Sequence, residues 1–342
     1  MRALVAAAVV VSVTLLFGAS SRAAAPTDRI WFAPGPGTLD YVQLFENPEQ
    51  WPHARQLFDV FKFYQQHTQL PPPSSVGPNS YTALANAGVF RTLNGWGKKT
   101  AIEVGAVKDF YCTPDASGMQ SAVSASVQSV QAIQSAGGTV TYLAMDDPFA
   151  AGQAPVCGGP ALEPTADRIA TYFTGVTSGA PSVKIGWIEA YPLAREPDIE
   201  RAIALLNARG VHPAFLHMDF ALNGVKVFRT DFAADMTRLK SVCASAGIPF
   251  GIIVWGSDGD ADALYALGAE RVMNAITDAF PSWDALPDQI IVQSWAQTST
   301  GLRITPSNLP ESRSYTHTNL LWQFYRRLRG QTGSSSGTAL AR

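Results

Sequence analysis

Short segments of this chain set acidic, amide and aromatic side chains at the ends of apolar, β-branched runs. Tyr142-Leu-Ala-Met-Asp-Asp-Pro148 ends in the adjacent carboxylates Asp146 and Asp147. Ile185-Gly-Trp-Ile-Glu-Ala-Tyr-Pro192 carries Glu189 and Tyr191, and Phe215-Leu-His-Met-Asp219 carries His217 and Asp219. Carboxyl groups at strand ends can divide the work of acetal cleavage: one protonates the leaving oxygen while the other attacks the sugar or activates water. Asp146 and Glu189 are the expected carboxyl pair, with Asp219 tuning or replacing one of them and Asp147 as a further acid. Tyr64, Gln66, Glu103, Tyr191, His217, Trp255, Gln293 and Trp295 are the expected substrate-binding groups. Several of these have a plainer reading. Glu103 and Lys62, on neighbouring strands, read first as a structural ion pair. His217 serves equally well as the orienter of an acid, and Asp-Pro at 147–148 is a common turn opening. Trp31 and Trp187 read as core packing.

The elements that must position these groups alternate regularly. Strands are predicted over 30–33, 60–64, 100–107, 140–145, 183–190, 214–220, 250–255 and 289–295. Helices follow over 48–58, 81–87, 118–136, 164–176, 198–208, 232–246, 260–280 and 315–329. Eight strand-helix pairs are what a closed parallel barrel requires, so the expected fold is α/β, a single (β/α)8 TIM barrel over 26–329. An open doubly wound sheet is the weaker alternative, because no GxGxxG or phosphate loop opens any helix. Alternate strand residues face opposite sides, and large aliphatics mark the helix-facing set. Leu143 and Met145 face out, so Tyr142, Ala144 and Asp146 point in. Leu216, Met218 and Phe220 face out, leaving Phe215, His217 and Asp219 inside. The same logic turns Lys62, Tyr64, Glu103, Trp255, Gln293 and Trp295 inward. Strand five is undecided, because Trp187 and Glu189 share one parity while small Gly186 and Ile188 share the other.

Arg2, the apolar run from Leu4 to Phe17 and the small residues from Gly18 to Ala25 read as a secretory signal peptide over 1–25, which predicts a secreted or periplasmic protein. The apolar run is shorter than the roughly 20 residues a spanning helix needs, so no membrane attachment is expected after cleavage. The stretch 330–342, rich in Gly, Ser and Thr, is expected to be disordered. A formal net charge of -2 with 15% charged residues supplies no basic stripe for nucleic acid and favours neutral or weakly charged partners. Cys112 and Cys157 follow predicted strands and are expected to form a disulfide, leaving Cys243 as a buried thiol. No CxxC, His/Cys cluster or zinc signature calls for a metal, no cofactor is implied, and no serine elbow supports an esterase.

The quoted segments, with Gly251-Ile-Ile-Val254, resemble a family of secreted bacterial (β/α)8-barrel glycoside-hydrolase-like proteins that carry "MDEP" and "IGxIEP" segments at the ends of strands four and five. The resemblance spans most of the mature chain and supports fold and site more than substrate. This sequence departs from the pattern with Asp147 in the Glu position and with Ala190-Tyr191 before Pro192. Amylase-like barrels, by analogy of position, map onto Asp146 and Glu189, whereas hexosaminidase-like barrels map onto Asp146 and Asp147. Strand seven ends Trp255-Gly-Ser-Asp258, unlike barrels with a glutamate nucleophile there. The expected function is a secreted glycoside hydrolase acting on a poly- or oligosaccharide. A carbohydrate-binding barrel without catalysis and a polysaccharide lyase using a Tyr or His with Lys62 are the alternatives.

Overall fold

A computed structural model describes residues 28–106, 108, 116–152, 161–221, 225, 226, 228–256, 261–295 and 306–330. Eight parallel strands close into one barrel in sequence order. They are β1 (Ile30–Ala33), β2 (Val60–Tyr64), β3 (Lys99–Val104), β4 (Tyr142–Asp146), β5 (Lys184–Tyr191), β6 (Leu216–Phe220), β7 (Phe250–Val254) and β8 (Gln289–Gln293). Closure is made by β1 against β8, with Ile30 opposite Ile290 and Ala33 opposite Gln293. The expected single (β/α)8 barrel is therefore the fold. The predicted signal peptide, Cys112, Cys157 and residues 331–342 of the predicted tail lie outside the described residues.

Crossover helices cover the outside because each presents an apolar stripe at helical spacing. In Phe232–Ser245 the buried positions are Phe232, Met236, Leu239 and Cys243, and the Asp231 side chain caps the helix by accepting from Ala234 N at 3.1 Å. Cys243 is a buried free thiol, as expected, and burial pushes its pKa up to about 12. The first predicted helix, 48–58, is instead broken into the 3-10 turn Pro48–Gln50 and the short helix Ala54–Leu57, with a further helical turn, Gln43–Glu46, before it. Trp51, immediately before Pro52, is held out of the helical region at φ -143, ψ 50, the restriction that a following proline imposes. The second is longer than expected: Tyr81–Asn86 continues as Val89–Gly95 across Gly88, whose φ of 68 breaks the turn.

Inside the barrel a separate apolar cluster unites Trp31, Val60, Ala101, Tyr142, Ala144, Ile188, Phe215, Ile253 and Ile291. Glycines make room for large neighbours there. A Cβ on Gly186 would lie 2.5 Å from the Phe215 ring, and one on Gly251 would lie 2.6 Å from His217. Leu143, Met145, Leu216, Met218, Ile290 and Val292 join the outer core instead, as their parity predicts. Strand five is now decided. Ile188 is inside, while Ile185, Trp187 and Tyr191 pack outside. Glu189, on their parity, therefore faces the helices. The amino end of the barrel is closed by Asp28, which takes Lys99 Nζ at 2.6 Å and the Tyr142 hydroxyl.

His317 opens the last helix, His317–Leu328, and is fully buried against Phe32 with neither ring nitrogen partnered. Burial lowers its pKa from 6.5 to about 3. The unfolded chain thus binds the proton first, and this residue removes up to about 1.4 kcal/mol of stability per pH unit as pH falls below its unfolded value. His317→Phe is expected to stabilise the fold more at pH 5 than at pH 8, read as the shift in urea midpoint. An equal shift at both pH values would contradict a neutral, buried His317.

Candidate active site

The carboxyl ends of the strands surround a cavity of about 170 Å³. Tyr64, Gln66, Glu103 and Lys108 line one side, and Asp146, Asp147, Asp219, Gln293 and Trp295 the other. Their origin is the strand alternation itself. Tyr64 ends β2, Glu103 lies near the end of β3, Asp146 ends β4, Asp219 lies near the end of β6 and Gln293 ends β8, all on the inward parity. Gln66 follows in the 3-10 turn Gln65–Thr68, and Trp295 lies two residues past β8. A larger cavity of about 360 Å³ lies on the outer surface between residues 277–286 and 327–330, and no carboxylate lines it.

Charge in the cavity is organised by two lysines. Lys62 is completely buried and donates to both Glu103 and Gln293, with the Tyr64 ring 5.8 Å from its Nζ. This is the structural ion pair expected for Lys62 and Glu103. Burial raises the Glu103 pKa, and Lys62 opposes the rise. Lys108 Nζ lies 2.5 Å from Asp146 Oδ2 and 3.2 Å from Asp147 Oδ2. Burial and then the Asp146 charge bring the Asp147 pKa up to about 6. Among the described residues no cation is ion-paired to Asp219, although the charge of Lys62 favours its ionised form. Burial, then the charges of Asp147, Asp146 and Glu103, push its pKa well above the ordinary carboxylate value, and its Oδ1 is buried without a hydrogen-bond partner. The cavity thus holds a carboxyl that favours its protonated form beside one paired with an ammonium. Environments that separate two carboxyl groups in this way assign acid and base roles.

Trp255 lies behind Trp295, with ring centroids 4.6 Å apart, and both indole N–H groups are buried without a partner. Trp295 presents the aromatic surface to the cavity, and Trp255 supports it.

Three expected site residues lie elsewhere. Glu189 is fully buried outside the barrel wall, where its carboxylate accepts from Phe149 N at 2.8 Å and Ala150 N at 3.0 Å. The expected pairing of Asp146 with Glu189 across one cavity is therefore not the arrangement found. Parity is the reason, since Trp187 and Glu189 share the helix-facing side. Tyr191 shares it too, and its hydroxyl donates to Asp235 Oδ2 at 2.6 Å among Phe220 and Phe232. His217 does point inward, but it sits below the cavity, stacked on Phe215 at 4.2 Å and bonded to Gln289 Oε1 at 2.7 Å. Burial lowers its pKa to about 3, so it stays neutral near pH 7 and is not a proton donor there.

Lys108 is the lining residue that sequence reading misses. A lone lysine beyond a strand reads as solvated, and the only hint was that adjacent buried acids need a cation. Among the described residues, no group of three His, Cys, Asp or Glu side chains could hold a metal ion, and no helix is long and apolar enough to cross a membrane.

No protein family and no curated protein matches this sequence. Solved structures do match its fold. An endo-β-1,4-mannanase from Cellulomonas fimi, of glycoside hydrolase family 26, aligns over 88% of this chain and 70% of its own with a TM-score of 0.53 and 9% identity. Native xylanase 10B from Thermotoga maritima aligns over 89% and 97%, with a TM-score of 0.52 and 10% identity. A D-psicose 3-epimerase from Clostridium cellulolyticum H10 aligns over 88% and 98%, at 0.50 and 8%. The chain is thus a TIM barrel with neighbours among glycosidases and epimerases. At these identities the likeness is one of fold.

Proposed function

We propose that this barrel is a secreted glycoside hydrolase that cleaves an oligo- or polysaccharide in the cavity over β3, β4, β6 and β8. One observation carries the reading: Asp219, a partly buried carboxyl with no ion-pair partner among the described residues and with its pKa raised well above the ordinary value despite the charge of Lys62, shares the cavity with Asp146, which is ion-paired to Lys108. Asp219 donates its proton to the glycosidic oxygen. Asp146 attacks the anomeric carbon or takes a proton from the attacking water, and Lys108 holds it in place. Asp147, tuned to about 6 and held by the same lysine, supplies a second negative group beside the oxocarbenium-like centre. Trp295, backed by Trp255, offers a face for a sugar ring, and Gln66 and Gln293 offer amide groups for hydroxyls. The mannanase and xylanase neighbours, which act on polysaccharides, are in keeping with this reading.

Incubation of the protein with a panel of neutral and charged glycans, followed by assay for new reducing ends, tests the proposal. Release from at least one glycan is expected, and release by an Asp146→Asn, Asp219→Asn double variant at the wild-type rate would overturn it. A second reading, a sugar-binding barrel without catalysis, draws on the engagement of both Asp146 and Asp147 by Lys108. It predicts calorimetric glycan binding with no product after prolonged incubation.

A further inference from the structure

The acid turn that ends β4 is unusual in its backbone and in what holds it. Asp147 has φ 47, in the left-handed region that Asp and Asn enter more readily than other L-residues but still at a cost relative to glycine. The backbone donors around it are accounted for in turn. Asp147 N donates to Ile188 O at 3.0 Å, extending the β4–β5 ladder by one bond. Pro148 has no N–H. Phe149 N and Ala150 N, the first N–H donors of the short helix Pro148–Gly152, both go to the Glu189 carboxyl group, and Ala151 N returns to Asp147 O at 2.9 Å. Phe149 also packs on Trp187, the outward neighbour of Glu189 on the same strand face, with ring centroids 5.6 Å apart. One strand therefore grips both sides of the turn, through the carbonyl of Ile188 and through the carboxylate of Glu189.

We infer that Glu189 is a positioning residue: from outside the barrel wall it clamps the Asp147-Pro148 turn in the strained backbone that aims the Asp147 carboxyl at Lys108 and the cavity. The inference rests on the proposed glycosidase reading for the chemistry Asp147 serves, but not for the geometry of the clamp. Five titratable groups surround Asp147: Asp146 on β4, Glu103 on β3, Lys108 after β3, Asp219 on β6 and Glu189 on β5. Release of the turn would take Asp147 away from burial and from the acidic neighbours that raise its pKa.

Melting temperatures of the full chain isolate the clamp. Glu189→Leu removes the acceptor, Asp147→Gly removes the strain, and Asp147→Asn removes the charge but keeps the Cβ. The loss caused by Glu189→Leu is expected to persist beside Asp147→Asn and to fall by about half or more beside Asp147→Gly, the coupling that shared strain produces. Equal losses in all three backgrounds would overturn the inference. Should the leucine variant not fold, Glu189→Gln carries the test, because one amide oxygen replaces the two carboxyl oxygens that accept separately from Phe149 N and Ala150 N. Hydrogen exchange at Phe149 or Ala150 is then expected to quicken about tenfold. Unchanged exchange at both amides would refute the clamp. None of these readouts uses turnover, so a protein with no glycosidase activity could still show the clamp, and an active one could lack it.

Discussion

Asp219→Asn is expected to lower turnover on a cleaved glycan by about 10²- to 10⁴-fold, the range that a positioned general acid supplies. Asparagine matches the size of aspartic acid but has no proton of suitable acidity to give. Among the described residues Asp219 bonds to no cation whose loss would unsettle the fold, so the variant should melt near the native temperature. The pH dependence carries the sign of the assignment. Burial and three neighbouring acids raise the Asp219 pKa well above 3.8, so the proton-donating form persists above the ordinary carboxylate range and activity falls as pH rises through that raised value. In Asp219→Asn this alkaline limb should disappear along with most of the rate. A glycan with a good leaving group, which needs little protonation, should recover part of the loss in kcat. If Asp219→Asn keeps both its rate and the alkaline limb, another group is the acid. Asp146→Asn should cost a similar factor without rescue by the leaving group, because its role is on the opposite side of the sugar.

Lys62→Met should produce the largest loss of stability among the site residues. Lys62 is completely buried, and Glu103, itself largely enclosed, depends on it together with Gln293. Removal of one partner of a buried pair leaves an uncompensated charge, typically about 3–5 kcal/mol, which would appear as a lower urea midpoint. Without the lysine, burial acts on Glu103 unopposed and its pKa rises further. A carboxyl whose folded pKa exceeds its unfolded one binds more protons when folded. The defect should therefore be mildest in acid and grow as pH rises through the window between the ordinary value of 4.5 and the raised one. Lys62→Met combined with Glu103→Gln should recover most of the loss, since the charge that needed a partner is gone. A double variant as unstable as the single one would mean that packing of the lysine stem, rather than charge, is what the barrel loses.

The sequence by itself determined the eight strands, the closed parallel barrel and the inward parity of Lys62, Tyr64, Glu103, Asp146, Asp219 and Gln293, because alternation on a strand is a local property. Large aliphatics at every second position leave one choice of face, as Leu216, Met218 and Phe220 do for Asp219. Where both parities carry a large or a small residue, local information runs out. Trp187 and Glu189 oppose Gly186 and Ile188, and only the Phe215 ring, packed where a Cβ on Gly186 would have to be, decides that Gly186 faces in. That long-range contact moved Glu189 and Tyr191 out of the site. Depth was likewise invisible: His217 has the right parity but lies one layer too low, a matter of stagger between strands that pairing sets. Tertiary structure also brought Lys108 to Asp146 and Asp147, 38 and 39 residues away in sequence. Type and alternation of side chains are written locally. Which acid stays protonated depends on burial and on the charges that folding gathers around it, and only the closed barrel decides that.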